Sequence, residues 1–211
     1  MKCYIIAGAP SPDIEFIRNE IPQNAFVLCA DRGYSHAKAA GITPSVIIGD
    51  FDSCTDELPE NAEVISLQRE KLYTDTVHCI DNALQKGYDE LVVLAATGGR
   101  LDHTVANLCA LEYTQNKGGR AVLLSEREEI RLLGEGRHKF SGCGRLTFSL
   151  FPFGCETAVI SVSGAHYPLD RYAYESRNPV GVSNIFEGEI SEIEVHSGRL
   201  LMIINRDDRY L

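Results

Sequence analysis

The sequence predicts an N-terminal parallel-sheet α/β domain, residues 1–126, followed by a C-terminal all-β sandwich domain, residues 127–211. Three observations carry that prediction. Up to residue 125, apolar runs alternate with helical patterns, the order of a parallel sheet flanked by helices. Beyond Glu126 the runs are short, β-branched and separated by glycines, with no long helical period. And 211 residues are enough for two small domains that bury cores without disulfide or metal staples.

The elements follow in order. Residues 2–7 read as a strand, after which Ser11-Pro12 offers an N-cap and a proline at the first helical position. Ile14, Ile17 and Ile21 give that helix its apolar stripe. Residues 25–30 form the next strand, followed by Asp31-Arg32-Gly33 and a short helix ending at Gly41. A third strand, 45–49, runs into Gly49-Asp50-Phe51-Asp52-Ser53, and 63–67 is the fourth. Thr74 caps a helix carrying Val77, Ile80 and Leu84, closed by Gly87. Residues 90–95 lead into Thr97-Gly98-Gly99-Arg100-Leu101-Asp102-His103 and a further helix, and 120–125 is the sixth strand. The β-rich half contributes runs at 145–150, 157–163, 190–195 and 200–204.

Composition narrows the function. With 44 % hydrophobic and 24 % charged residues, the chain is ordinary globular material. A net charge of -10 argues against a nucleic-acid partner, which requires a basic footprint. It suits a cationic small molecule, or an anionic one that arrives with a metal and meets local basic groups. No run approaches a membrane span, and no secretory leader pattern is present. The seven cysteines form no C-x-x-C pair; Cys3, Cys29, Cys79 and Cys109 read as small buried hydrophobes. The expectation is a reduced, cytoplasmic protein.

The acidic residues carry the chemistry. Asp31 follows the second strand, Asp50 and Asp52 the third, Asp75 lies beyond the fourth, and Asp102 follows the fifth. In a parallel sheet these loops emerge at the carboxyl edge, where open α/β sheets bind ligands. Hard oxygen donors in that number favour Mg²⁺, which works with substrate phosphates. Arg32, Arg69, Lys71 and Arg100 occupy the same loops and can hold phosphate oxygens. Gly98-Gly99 ahead of a helix brings backbone N–H groups close to an anion, and His103 can bond a phosphate. Neither a P-loop nor a dinucleotide fingerprint is present, and no serine-hydrolase elbow exists.

Taken in order, Ala30-Asp31-Arg32-Gly33, Gly49-Asp50-Phe51-Asp52-Ser53, Lys71 with Thr74-Asp75, Gly98-Gly99-Arg100-Leu101-Asp102-His103 and Ser183-Asn184 resemble the motifs of thiamine pyrophosphokinases. The resemblance spans nearly the whole chain. It implies an α/β domain and a β-sandwich assembled as a homodimer with sites at the subunit interface. It implies that ATP donates a diphosphate to the hydroxyl of thiamine, giving thiamine diphosphate and AMP. By the same resemblance Asp50, Asp52 and Asp75 are Mg²⁺ ligands. Asp31, Lys71, Thr74, Arg100 and Asp102 lie around the phosphates and the attacking hydroxyl, with Asp102 preferred as the proton acceptor. Ser183 and Asn184 hold thiamine. Two departures stand out: Leu72 occupies a position where an acidic residue is expected, and the absence of Trp leaves any aromatic wall against thiamine to Tyr or Phe, such as Phe186.

Two other readings attach to the same residues. Asp50-Phe51-Asp52 resembles the D-x-D of an aspartyl-nucleophile phosphatase, although here it ends the third strand rather than the first and Cys54 stands where Thr or Val is expected. A non-catalytic nucleotide or thiamine sensor would bind both ligands without turnover.

Overall fold

A computed structural model of the chain describes residues 1–51, 58–59 and 61–206. It resolves into two compact units, Met1–Glu126 and Arg127–Leu211.

The first unit contains strands β1 (Lys2–Ile6), β2 (Val27–Ala30), β3 (Val46–Gly49), β4 (Glu63–Ser66), β5 (Glu90–Leu94) and β6 (Arg120–Leu124). Its helices are α1 (Ile14–Glu20), α2 (Gly33–Ala40), α3 (Asp75–Gln85) and α4 (Leu101–Asn116). The strands run in the order β6-β5-β1-β2-β3-β4, and every neighbouring pair is parallel. Successive side chains of a strand face opposite ways. Tyr4 and Ile6 therefore join Cys29, Ile47 and Leu94 in one core with Ile17, Tyr34 and Ala37 of α1 and α2. Cys3, Ile5, Leu28 and Val93 are equally buried on the other face. Burial on both faces is why these strands read as unbroken apolar runs. The chain builds outward from β1 to β4, then returns to the other side of β1 for β5 and β6. The order reverses between β1 and β5, and it is beyond the strand ends at such a reversal that open α/β sheets bind ligands.

Two details differ from the sequence reading. The N-cap of α1 is Asp13, whose carboxylate accepts from the Phe16 N–H at 2.9 Å. Ser11 instead adopts a φ of +54° ahead of Pro12. Cys109 is exposed, because α4 turns Asn107, Ala110, Leu111 and Thr114 inward.

The second unit is all-β among the described residues: β7 (Glu128–Leu133), β8 (Gly136–Ser141), β9 (Thr147–Pro152), β10 (Thr157–Ser163), β11 (Leu169–Glu175), β12 (Asn184–Ile185), β13 (Ile190–Ser197) and β14 (Leu200–Asn205). One layer runs β12-β9-β14-β7 and the other β11-β10-β13-β8, with antiparallel pairing throughout. Phe148, Leu150, Met202 and Ile204 of the first layer share a core with Phe140, Ile160, Val162 and Ile193 of the second, which makes this unit a β-sandwich. Among the described residues no helix is long and apolar enough to cross a membrane.

Candidate functional site

Backbone conformation singles out the carboxyl edge of the parallel sheet. Asp31, Phe51 and Ala95, just beyond β2, β3 and β5, have φ of +45°, +58° and +52°. A non-glycine residue held there costs about 1–3 kcal/mol, a strain that clusters at functional sites. Gly49 permits the crowding: a Cβ on it would lie 2.9 Å from the Asp31 Cα.

The charges meet on this edge. The Lys71 ammonium lies 2.7 Å from Asp75 Oδ1 and 3.2 Å from Asp50 Oδ2. Asp75 opens α3, and the Thr74 hydroxyl before it accepts from the Val77 N–H at 3.4 Å, so Thr74 is the helix cap. Burial pushes the Asp75 carboxyl up; Lys71 pulls it back, while Asp31 and Asp50 add to the rise. Burial works against the charged form of Lys71, but its hydrogen bonds to Asp75 and Asp50 leave its pKa above the usual lysine value. Asp31 and Asp50 thus act on Asp75, with the Lys71 ammonium between Asp50 and Asp75. Asp52 lies outside the described residues. Among the described residues no three His, Cys, Asp or Glu side chains already form a metal cage. The donors on this edge are carboxylate oxygens, the type a hard cation such as Mg²⁺ takes. Leu72, beside Lys71, is 88 % exposed.

A second cluster lies beyond the ends of β1 and β5. The loop after β1 is tied down by Ala7 N–H to Leu94 O at 2.8 Å and Ala9 N–H to Ala95 O at 2.9 Å. Gly98 has a φ of +86°, and a Cβ on Gly99 would lie 2.5 Å from Pro10 Cδ. Gly8-Ala9-Pro10 therefore packs against the Gly98-Gly99 turn. A Gly and a Pro directly after the first strand signal a tight loop, but nothing in the sequence alone ties that loop to the site. Arg100 closes its fork on Asp102, Nε to Oδ1 at 3.1 Å and Nη2 to Oδ2 at 2.6 Å. Asp102 Oδ1 also accepts from the His103 N–H at 2.9 Å. The Arg100 hydrogen bond in particular holds the Asp102 carboxyl below the usual carboxylate range. Both side chains are exposed.

The expected thiamine pair lies in the sandwich. Ser183 has a φ of +58°, and its N–H donates to Ser149 Oγ at 3.1 Å. Asn184 grips the backbone of Tyr167 from both sides: Oδ1 accepts from the Tyr167 N–H at 3.0 Å and Nδ2 donates to the Tyr167 carbonyl at 2.9 Å. A cavity of about 510 Å³ opens beside them, lined by Leu150, Ile160, Leu169, Tyr172 and Val180 together with Tyr167 and Asn184. Phe186 does not face it. At 1 % exposure, Phe186 packs on Phe148 with ring centroids 4.4 Å apart, so it belongs to the core and offers no wall to a ligand.

An open parallel sheet with carboxylates, a lysine and an arginine on its strand-end loops defines an α/β protein that handles phosphorylated ligands, here joined to a β-sandwich. Comparison with known proteins makes the assignment specific. Residues 17–123 match the family model for the thiamin pyrophosphokinase catalytic domain, and 139–200 that for the thiamin pyrophosphokinase vitamin B1 binding domain. The chain belongs to the thiamin pyrophosphokinase family. A thiamine pyrophosphokinase of Bacillus subtilis (strain 168) is 25 % identical over 209 residues, covering 96 % of this chain and 98 % of that one. Thiamine pyrophosphokinase 1 of Oryza sativa subsp. japonica is 30 % identical over 188 residues, covering 78 % of this chain and 67 % of its own. Among solved structures, the thiamin pyrophosphokinase of Geobacillus thermodenitrificans superposes with a TM-score of 0.86 at 22 % identity over the whole of both chains. At that identity the likeness speaks for the fold.

Proposed function

We propose that this chain catalyses the reaction of its family: transfer of a diphosphate from ATP to the hydroxyl of thiamine, releasing AMP and thiamine diphosphate. The observation that carries the reading is the set of carboxylates gathered around Lys71 on the strand-end edge. Asp50, Asp52 and Asp75 are the proposed ligands of Mg²⁺, with Asp31 beside them. Held there, Mg²⁺ would neutralise phosphate charge and so ease the approach of a nucleophile, the main demand of phosphoryl-type transfer.

The chain's own groups do the rest. Arg100 exchanges Asp102 for phosphate oxygens, which its fork matches. Lys71 supplies a point charge. The backbone after Gly98-Gly99, with Thr74 and His103 nearby, lines the phosphate path. A bond forms between the thiamine hydroxyl oxygen and the β-phosphorus, and the bond from that phosphorus to the α–β bridging oxygen breaks. AMP leaves with the bridging oxygen. Freed from Arg100, Asp102 becomes more basic and takes the hydroxyl proton. Ser183 and Asn184 serve the thiamine end of the site.

We further propose a homodimer in which the sandwich of one subunit closes the acidic edge of its partner. Leu101, Val105 and Cys109 support this, being exposed at four-residue spacing along α4, as do the exposed Val180 and Val182 in the sandwich. Free cysteines throughout the described residues fit a reducing cytoplasm.

Incubation with ATP, Mg²⁺ and thiamine tests the reaction: AMP and thiamine diphosphate should accumulate in equal amounts. ADP with thiamine monophosphate, a trapped phosphoenzyme, or binding of both substrates without turnover would each overturn it.

A further inference from the structure

We propose that His36 is a positioning residue for the phosphate path: its imidazole holds the Ala9 carbonyl, and so sets the Gly8-Ala9-Pro10 loop on which the Gly98-Gly99 turn rests. The proposal rests on the reaction assigned above and adds to it a residue that touches neither substrate.

His36 stands on the inner side of α2, where Gly33, Tyr34, Ala37 and Ala40 are also buried. It is 8 % exposed. A ring nitrogen taken out of water there costs stability unless it is hydrogen-bonded, and an aliphatic side chain would fill the place without that cost. The bond His36 makes is to a loop, not to its own helix or to the sheet: Nε2 lies 2.9 Å from the Ala9 carbonyl oxygen. A carbonyl only accepts, so Nε2 carries the proton and donates it. Burial above all, together with the charge of Arg32, keeps the ring's pKa below the usual histidine value against the opposing pull of that bond. The ring is therefore a neutral donor whose tautomer is set by Ala9.

Ala9 is thereby held from two directions. Its N–H donates to the carbonyl of Ala95 at 2.9 Å, the residue that follows β5 with a φ of +52°. Its own carbonyl takes His36. The helix that carries His36 is tightly seated: a Cβ on Gly33 would run into the Ile6 carbonyl oxygen. At its other end the Arg18 guanidinium donates to the carbonyls of Ala40 at 2.9 Å and Ala39 at 3.2 Å. Pro10 and Pro12 have no N–H to give, so the stretch after Ala9 depends on such outside ties. Pro10 in turn meets Gly99, where a Cβ would lie 2.5 Å from its Cδ, and Arg100 is the next residue. One hydrogen bond and one van der Waals contact thus join α2 to the turn that presents the Gly98-Gly99 backbone and the Arg100 fork.

The test is equilibrium binding of α,β-methylene ATP with Mg²⁺, alongside steady-state rates and chemical denaturation, on three variants. His36→Leu keeps the bulk and loses the N–H. His36→Gln places an amide N–H where Nε2 stands, and His36→Asn falls one bond short of it. His36→Leu and His36→Asn should weaken binding of the analogue and raise the KM for ATP by about tenfold, because small misplacements of a phosphate-holding group are costly. The KM for thiamine should stay within about twofold. His36→Gln should return analogue binding and the KM for ATP to within about threefold of the unmodified protein. Analogue binding by folded His36→Leu within about twofold of the unmodified protein would overturn the proposal, as would equal losses in His36→Gln and His36→Asn. If His36→Leu does not fold, the Gln and Asn pair still decides, since the two carry the same amide and differ in reach. A protein that makes AMP and thiamine diphosphate yet binds the analogue normally as His36→Leu refutes this inference alone. One that loses the analogue on that substitution, and whose unmodified form makes no AMP from ATP and thiamine, refutes the reaction alone.

Discussion

Lys71 sits where a metal ion would compete with it for the oxygens of Asp50 and Asp75. Two effects of its removal therefore point in opposite directions. Lys71→Met should bind Mg²⁺ at least as tightly as the unmodified protein, because a competing cation is gone, yet lose most of its turnover, because the phosphates lose a point charge. Calorimetry of Mg²⁺ binding alongside initial rates reads both, and weaker Mg²⁺ binding would contradict the competition. Arg100→Lys should lower turnover or ATP affinity by about tenfold, since a fork that clasps two oxygens becomes a single donor. Kinetics within about twofold would make Arg100 surface charge. Asp50, Lys71 and Asp75 were legible in the sequence because each follows a strand whose end is marked by a change from apolar to polar. The grip of Asn184 on Tyr167 was not. It joins residues 17 positions apart and has meaning only once β9, β10 and β11 have enclosed a cavity. Phe186 misleads by proximity to the Ser-Asn pair, whereas its pairing opposite Ala165 places it among Phe140 and Phe148.

The elements show where local rules suffice. α3 begins at the capping threonine and ends before Gly87, which has a φ of +86°, as the sequence indicates. Thr74→Ala should cost about 1 kcal/mol of stability and Thr74→Ser should restore most of it, since only the hydroxyl caps the helix. Chemical denaturation measures both; no loss in Thr74→Ala would deny the cap. The central parallel strands β1, β2, β3 and β5 were legible because burial on both faces makes them almost continuously apolar. β7, β8 and β11 were not. Their sequences, EEIRLL, GRHKFS and LDRYAYE, fully bury only one or two positions each, so charge conceals the alternation. Such strands form through pairing with β14, β13 and β10, a cause that lies outside their own sequence. α1 starts at Asp13 rather than Ser11 because Ser11 has a φ of +54°, whereas Asp13 has the extended backbone that an N-cap requires, with φ of -71° and ψ of 106°.

At the scale of the whole molecule, the proposed carboxylate ligands lie in one compact unit and the Tyr167–Asn184 clamp in the other. In the proposed dimer each site takes its acidic edge from one chain and its sandwich from the other. Asp50→Asn and Asn184→Ala proteins, each inactive alone, unfolded together and allowed to reassociate, should then regain roughly a quarter of the unmodified activity, because half the dimers are mixed and each mixed dimer has one intact site. No recovery, with mixed dimers confirmed by mass, would place both halves of a site on one chain. The most direct measurement of the central claim, that the carboxylates around Lys71 carry an intact diphosphate transfer, is a phosphorus NMR time course on the unmodified protein and Asp50→Asn with ATP, Mg²⁺ and thiamine. The unmodified protein should replace the ATP signals with one AMP resonance and the two coupled resonances of thiamine diphosphate, while a folded Asp50→Asn leaves ATP intact. Resonances of ADP or orthophosphate in the first sample, or unimpaired turnover in the second, would contradict it.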